Sequence, residues 1–159
     1  MRWDLIEKFD VLKKGRSALA RKSFTGTEDF FSEHFPGKPA LPEPFFVEMI
    51  AQAGGVLFGL EIDFKKEVIL AKIESARFFR PVSPPCAFVV EANLEEVREE
   101  GAWISGIVTH RQSKVAEAKI LLAVVDSLAS AKPGNIVFNE DFLTRYRIRE
   151  VAKASEAFV

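Results

Sequence analysis

The stretch from Pro44 to about residue 61 constrains this chain more than any other. Between Pro44 and Leu60 the only long polar side chains are Glu48 and Gln52; the rest are apolar residues and glycines. Proline suits a first helical position, where its missing N–H would have no partner within the helix. The segment is therefore expected to be a helix, and a helix that is apolar all round must be buried all round. A membrane span is disfavoured, because the segment falls short of the roughly 20 residues usually needed and carries a carboxylate.

A buried helix needs something to wrap it. Leu5–Lys14 and Arg16–Thr25 read as two strands joined near Gly15. Thr27, Glu28 and Asp29 precede Phe30-Phe31, which predicts a short capped helical turn. His34 to Pro44 holds four prolines and one glycine, a density that leaves only an ordered loop. Beyond the helix the pattern changes to period two. Ile69, Ala71, Ile73 and Ser75 alternate with Leu70, Lys72, Glu74 and Ala76, and Phe88, Val90, Ala92 and Leu94 alternate with their neighbours. Further runs cover 102–110 and 115–125, separated by turns at 99–101 and 111–114, with prolines at 81, 84 and 85. This is the pattern of an antiparallel meander, and long antiparallel strands curl around a helix. The expected class is α+β, a long antiparallel sheet wrapped around one apolar helix. A body over residues 1–126 is followed by a C-terminal extension, 127–159. There Lys132-Pro133-Gly134-Asn135 predicts a loop, and Asn139 caps a helix through Lys153 with Phe142, Leu143, Tyr146 and Val151 on one side.

The bulk numbers exclude several function classes. Twenty-two basic residues against twenty-three acidic ones leave a net charge of -1, so nucleic acid and anionic membranes have no electrostatic claim as partners. One cysteine, Cys86, forbids an internal disulfide and suits the cytoplasm; with two histidines it also argues against a structural zinc site. The N-terminus interrupts its apolar residues with charges and is not expected to be a secretory signal. Fifteen Phe against one Tyr suits a greasy interior or, alternatively, a channel for an acyl chain.

Burying a carboxylate is costly unless it is paired, hydrogen-bonded or protonated. Glu48 and Gln52 are four apart and share a helical face. They are either a structural pair or an acid tuned for proton transfer. His34 opens the proline-stiffened loop that leads into the helix, and an imidazole held in place is a suitable general base. His110, beside a predicted turn, is expected on the surface. Cys86 has no His near it in sequence and is not expected to be a nucleophile.

These residues carry a specific resemblance. His34-Phe35-Pro36-Gly37-Lys38-Pro39-Ala40-Leu41-Pro42, then Glu48, then Ala51-Gln52, resembles the signature of the bacterial 3-hydroxyacyl-acyl carrier protein dehydratases. Phe30-Phe31, Ala71-Lys72-Ile73 and Arg77-Phe78-Phe79-Arg80-Pro81-Val82 are similar to its flanks, so the match spans about residues 1–126. The resemblance implies a hot-dog fold, a homodimer extendable to a trimer of dimers, and an active site shared between protomers. His34 would take a proton from C2 of a 3-hydroxyacyl thioester, and Glu48 of the partner chain would protonate the departing hydroxyl or act through a water. Gln52 would orient Glu48, and the helix N-terminus would stabilise the thioester carbonyl. No metal or redox cofactor is implied; the acyl group arrives on the phosphopantetheine arm of acyl carrier protein or coenzyme A. Phe45, Phe46 and Phe79 are candidates to line its tunnel, and Gly37 to shape the loop. Arg145, Arg147, Arg149 and Lys153 form either a solvated helix face or a contact for an acidic carrier.

The chain departs from the family's pattern twice. The family has Pro-Gly where this chain has Pro42-Glu43, and Pro-Gly-Asp where it has Pro84-Pro85-Cys86. The glycine's backbone N–H serves the thioester carbonyl, so a positive φ at Glu43 would mean strain. Two alternatives stay open: an acyl-thioester-binding protein without turnover, and a thioesterase.

Overall fold

The computed structural model describes residues 4–125 and 138–157. The loop expected at 132–135 lies outside them. Six strands form one antiparallel sheet: β1 (Lys8–Lys13), β2 (Ser17–Phe24), β3 (Glu67–Phe78), β4 (Cys86–Arg98), β5 (Gly101–His110) and β6 (Ser113–Val125). Their order is β1-β2-β4-β5-β6-β3. Helices α1 (Phe30–Glu33) and α2 (Pro44–Glu61) lie between β2 and β3, and α3 (Glu140–Arg145) and α4 (Ile148–Glu156) follow β6. Helix α2 spans the residues expected of it. It packs against β2, β3, β4, β5 and β6, which is the hot-dog arrangement.

Alternation explains the wrap. On β5, Ala102, Ile104, Gly106 and Val108 face inward; on β6, Ala116, Ala118, Ile120 and Leu122 do the same. Glycines let helix and sheet approach closely. A Cβ on Gly106 would lie 2.4 Å from Cγ2 of Ile50, and one on Gly54 would lie 2.8 Å from Cγ2 of Ile104. Register shifts at Leu70/Lys72, Ile73/Ser75 and Leu94/Glu96 mark bulges, which bend a sheet. Among the described residues, no helix is long and apolar enough to cross a membrane.

The two sheet edges differ. Strand β3 is exposed along most of its length, with Ile69, Leu70 and Ile73 on the surface. Strand β1 is covered by α4, and the backbone N–H of Leu12 donates to Oγ of Ser155 at 2.9 Å. The extension is also not one helix. Asn139 caps α3 as expected, its side chain accepting from Phe142 N–H, but Arg147 takes a left-handed conformation (φ 52°) and breaks the run before α4. Phe142, Leu143 and Tyr146 belong to the first piece and its cap, and Ile148 and Val151 to the second.

Candidate active site

The loop between α1 and α2 is built around a tight turn. Phe35-Pro36-Gly37-Lys38 closes with Lys38 N–H donating to Phe35 O at 3.0 Å, and Gly37 has φ 76°. Proline then glycine at the two central positions is the type II pattern, and only glycine takes that φ without strain. The turn lifts the chain back on itself. Ala40 N–H donates to His34 O at 2.9 Å, and Leu41 N–H donates to Val82 O at 2.8 Å, tying the loop to the segment after β3.

The same closure fixes His34. Its Nδ1 lies 3.2 Å from Ala40 O, and its ring stacks on Phe35 at 4.1 Å. A carbonyl oxygen only accepts, so Nδ1 must carry the proton in this contact. Nε2 is then the basic nitrogen, on a half-buried ring held from two sides. A loop His with one nitrogen committed and, among the described residues, no hydrogen-bond partner on the other suits a general base.

Glu43 is the N-cap of α2, with φ −55° and ψ −36°. These are ordinary angles for any residue, so replacing the family's glycine costs no backbone strain. Among the described residues no acceptor takes the Glu43 N–H, while Phe45 and Phe46 N–H groups turn back to Pro42 and Glu43 carbonyls at 3.0 Å. Further along, Gln52 Nε2 donates to Glu48 Oε1 at 3.0 Å, and Gln52 Oε1 accepts from Leu5 N–H at 3.1 Å. Glu48 is half-buried on an otherwise core-facing helix.

His34 and Glu48 are not joined within one chain: among the described residues neither a hydrogen bond nor an ion pair links them. Nor do the three candidate lining residues form one wall. Phe46 is sealed in the core beside Phe78 and Phe88; Phe45 is half-buried against Phe30; Phe79 is 50% exposed, with Lys114 Nζ over its ring.

A cleft of about 660 Å³ lies elsewhere, at the ends of β2, β4 and β5 among Arg21, Phe24, Cys86, Phe88, His110 and Arg111. It corrects one expectation. His110 is buried, not on the surface, because it continues the inward face of β5, and its Nδ1 sits 2.8 Å from Ala87 O. Cys86 is buried beside it, and burial, aided by the charge of Glu28, pushes its thiol up to about 11. A neutral thiol is a poor nucleophile, and His34 and Glu48 both lie outside this cleft.

Known proteins agree with the fold. The dehydratase heterocomplex ApeI:P from Xenorhabdus doucetiae superposes with a TM-score of 0.64 at 16% identity, covering 77% of this chain and 84% of that one. The smu.793 protein from Streptococcus mutans, bound to acetyl CoA, gives 0.59 at 14% identity, covering 79% and 94%. The class is thus a hot-dog domain. The family is equally plain. The FabA-like domain model matches residues 3–123. The 3-hydroxyacyl-acyl-carrier-protein dehydratase FabZ of Hydrogenobaculum sp. (strain Y04AAS1) is 36% identical over 132 residues, covering 80% of this chain and 88% of that protein. FabZ of Wolbachia sp. subsp. Drosophila simulans (strain wRi) is 35% identical over 117 residues, covering 73% and 82%. This chain belongs to the FabA-like family.

Two features escaped the sequence reading. One is the Tyr146 hydroxyl, which donates to Asp4 Oδ1 at 2.6 Å; the other is Ser155 against Leu12. Both join residues more than 140 positions apart, and no local pattern marks either.

Proposed function

We propose that this protein dehydrates 3-hydroxyacyl thioesters carried on acyl carrier protein to trans-2-enoyl thioesters, in fatty acid or a related polyene or polyketide synthesis. The observation that carries this reading is His34: its Nδ1 is committed to Ala40 O, leaving Nε2 as a base, in a chain 36% identical to a named dehydratase. In the reaction His34 Nε2 removes the C2 proton. The electrons form the C2=C3 double bond, the C3–O bond breaks, and Glu48 protonates the departing hydroxyl, so water leaves. Gln52 holds Glu48 by its amide. Negative charge that develops on the thioester carbonyl is met by the N-terminus of α2 and by the N–H of Glu43.

His34 of one protomer works with Glu48 of the other in this account. Two observations support it: the pair is unlinked within a chain, and β3 offers an open edge carrying Ile69, Leu70 and Ile73. An edge strand of this kind pairs readily with another copy. The carrier could be replaced by coenzyme A, which presents the same arm, and a single free cysteine suits the cytoplasm.

The test is hydration of a trans-2-enoyl thioester, followed by loss of the conjugated absorbance. Wild type should turn over, and His34→Ala and Glu48→Gln should each lose about 10²–10⁴-fold. An inactive wild type, or two variants with unchanged rates, overturns the reading. Release of free thiol would point to a thioesterase instead.

A further inference from the structure

The C-terminal extension lies beyond the residues matched by the family model, yet it reaches Glu48 through a continuous path. Tyr146, the C-cap of α3, donates its hydroxyl to Asp4 Oδ1 at 2.6 Å, and Arg145 Nη1 approaches Asp4 Oδ2 at 3.3 Å. The next residue, Leu5, donates its backbone N–H to Gln52 Oε1 at 3.1 Å. Gln52 Nε2 then donates to Glu48 Oε1 at 3.0 Å.

Each link restricts the next. A backbone N–H only donates, so the Gln52 oxygen must face Leu5 and its NH₂ must face Glu48. The flipped amide would oppose two donors at one end and two acceptors at the other. The orientation of Gln52 therefore depends on where Leu5 is held. Asp4, gripped by Tyr146 and Arg145, precedes Leu5 directly and anchors it. Tyr146 is 7% exposed and packs edge-on against Phe9 at 6.5 Å, so its hydroxyl has a fixed position from which to grip Asp4. Burial first, then the hydrogen bond to Asp4 and the Asp4 charge, pushes this phenol up to about 12, so it remains a donor at neutral pH.

We infer that Tyr146 is a positioning residue for catalysis: through Asp4, Leu5 and Gln52 it fixes the carboxylate of Glu48. The inference rests on the reading of Glu48 as the acid.

Steady-state kinetics on the full chain test it. Tyr146→Phe keeps the ring and removes only the donor. It should lower kcat about three- to tenfold with KM unchanged. Adding Tyr146→Phe to Gln52→Ala should cost nothing further, because both act on one path. Asp4→Ala should repeat the loss of Tyr146→Phe, and Asp4→Asn, which still offers an oxygen to the phenol, should recover most of it. Should Tyr146→Phe fold poorly, the Asp4 pair decides alone. Wild-type kcat in both Tyr146→Phe and Asp4→Ala overturns the inference, as do additive losses with Gln52→Ala. A readout free of activity separates this from the assignment of Glu48. The Gln52 side-chain amide protons, followed by NMR, should exchange slowly in wild type and faster in Tyr146→Phe. Equal exchange in the two overturns the positioning path. An active Glu48→Gln with the exchange difference intact would instead remove the acid and leave the path.

Discussion

Truncating Ser155 to alanine should unlock the β1 edge. Leu12 is fully buried, its N–H donates to Ser155 Oγ at 2.9 Å, and Ser155 itself is 8% exposed. The hydroxyl in turn donates to Val151 O at 2.7 Å, a carbonyl that belongs to α4. Removing the hydroxyl therefore leaves one group without its partner, the N–H of the fully buried Leu12. An orphaned buried donor costs about 1–3 kcal/mol. For a chain of this size each kcal/mol lowers Tm by about 2–4 °C, so the loss should be about 2–12 °C. The assay is thermal unfolding by circular dichroism at one fixed protomer concentration, since self-association would add its own concentration dependence. Amide exchange at Leu12 reports the same bond locally and should accelerate. Ser155→Thr, which keeps an acceptor, should lie between the two. A Tm within about 1 °C of wild type, with Leu12 exchange unchanged, would refute the idea that α4 holds this edge.

Other predictions concern the core. Gly106→Ala places a methyl 2.4 Å from Ile50 Cγ2 and 3.1 Å from Glu91 O. It should destabilise by about 1–3 kcal/mol in urea melts, with Ile50→Val recovering part of the loss. Cys86, its thiol pushed up to about 11 by burial and then by Glu28, is protonated at neutral and mildly alkaline pH. A thiol reagent at about pH 8 should label it roughly 100-fold more slowly in the native protein than in denaturant. Native labelling should keep climbing with pH beyond the point where an ordinary thiol levels off.

Helix α2 was legible because its two signals are local. Pro44 marks the start, and the isolation of Glu48 and Gln52 among apolar residues marks both the burial and the one polar face of the helix. His34 was legible only through the motif around it. The physical reason for its orientation, the return of Ala40 onto both its backbone and its ring, depends on a turn closed by Gly37. His110 shows what a turn-based reading misses. The alternation of Ala102, Ile104, Gly106 and Val108 extends one step further and places it inside. The break at Arg147 had no such signal, since no glycine or proline stands there and a left-handed Arg is set by packing rather than propensity. The exposure of β3 was equally hidden, because alternation describes the two faces of a strand and says nothing of its edges.

The most direct test of the central claim is subunit complementation. His34→Ala and Glu48→Gln, each inactive alone, are mixed, unfolded together and refolded. If His34 and Glu48 meet across a two-fold interface, half of the random dimers are mixed, and each mixed dimer has one intact site of two. The mixture should then regain about a quarter of wild-type activity in the enoyl hydration assay. Recovery of no activity from a mixture that refolds to the same assembly would contradict the account.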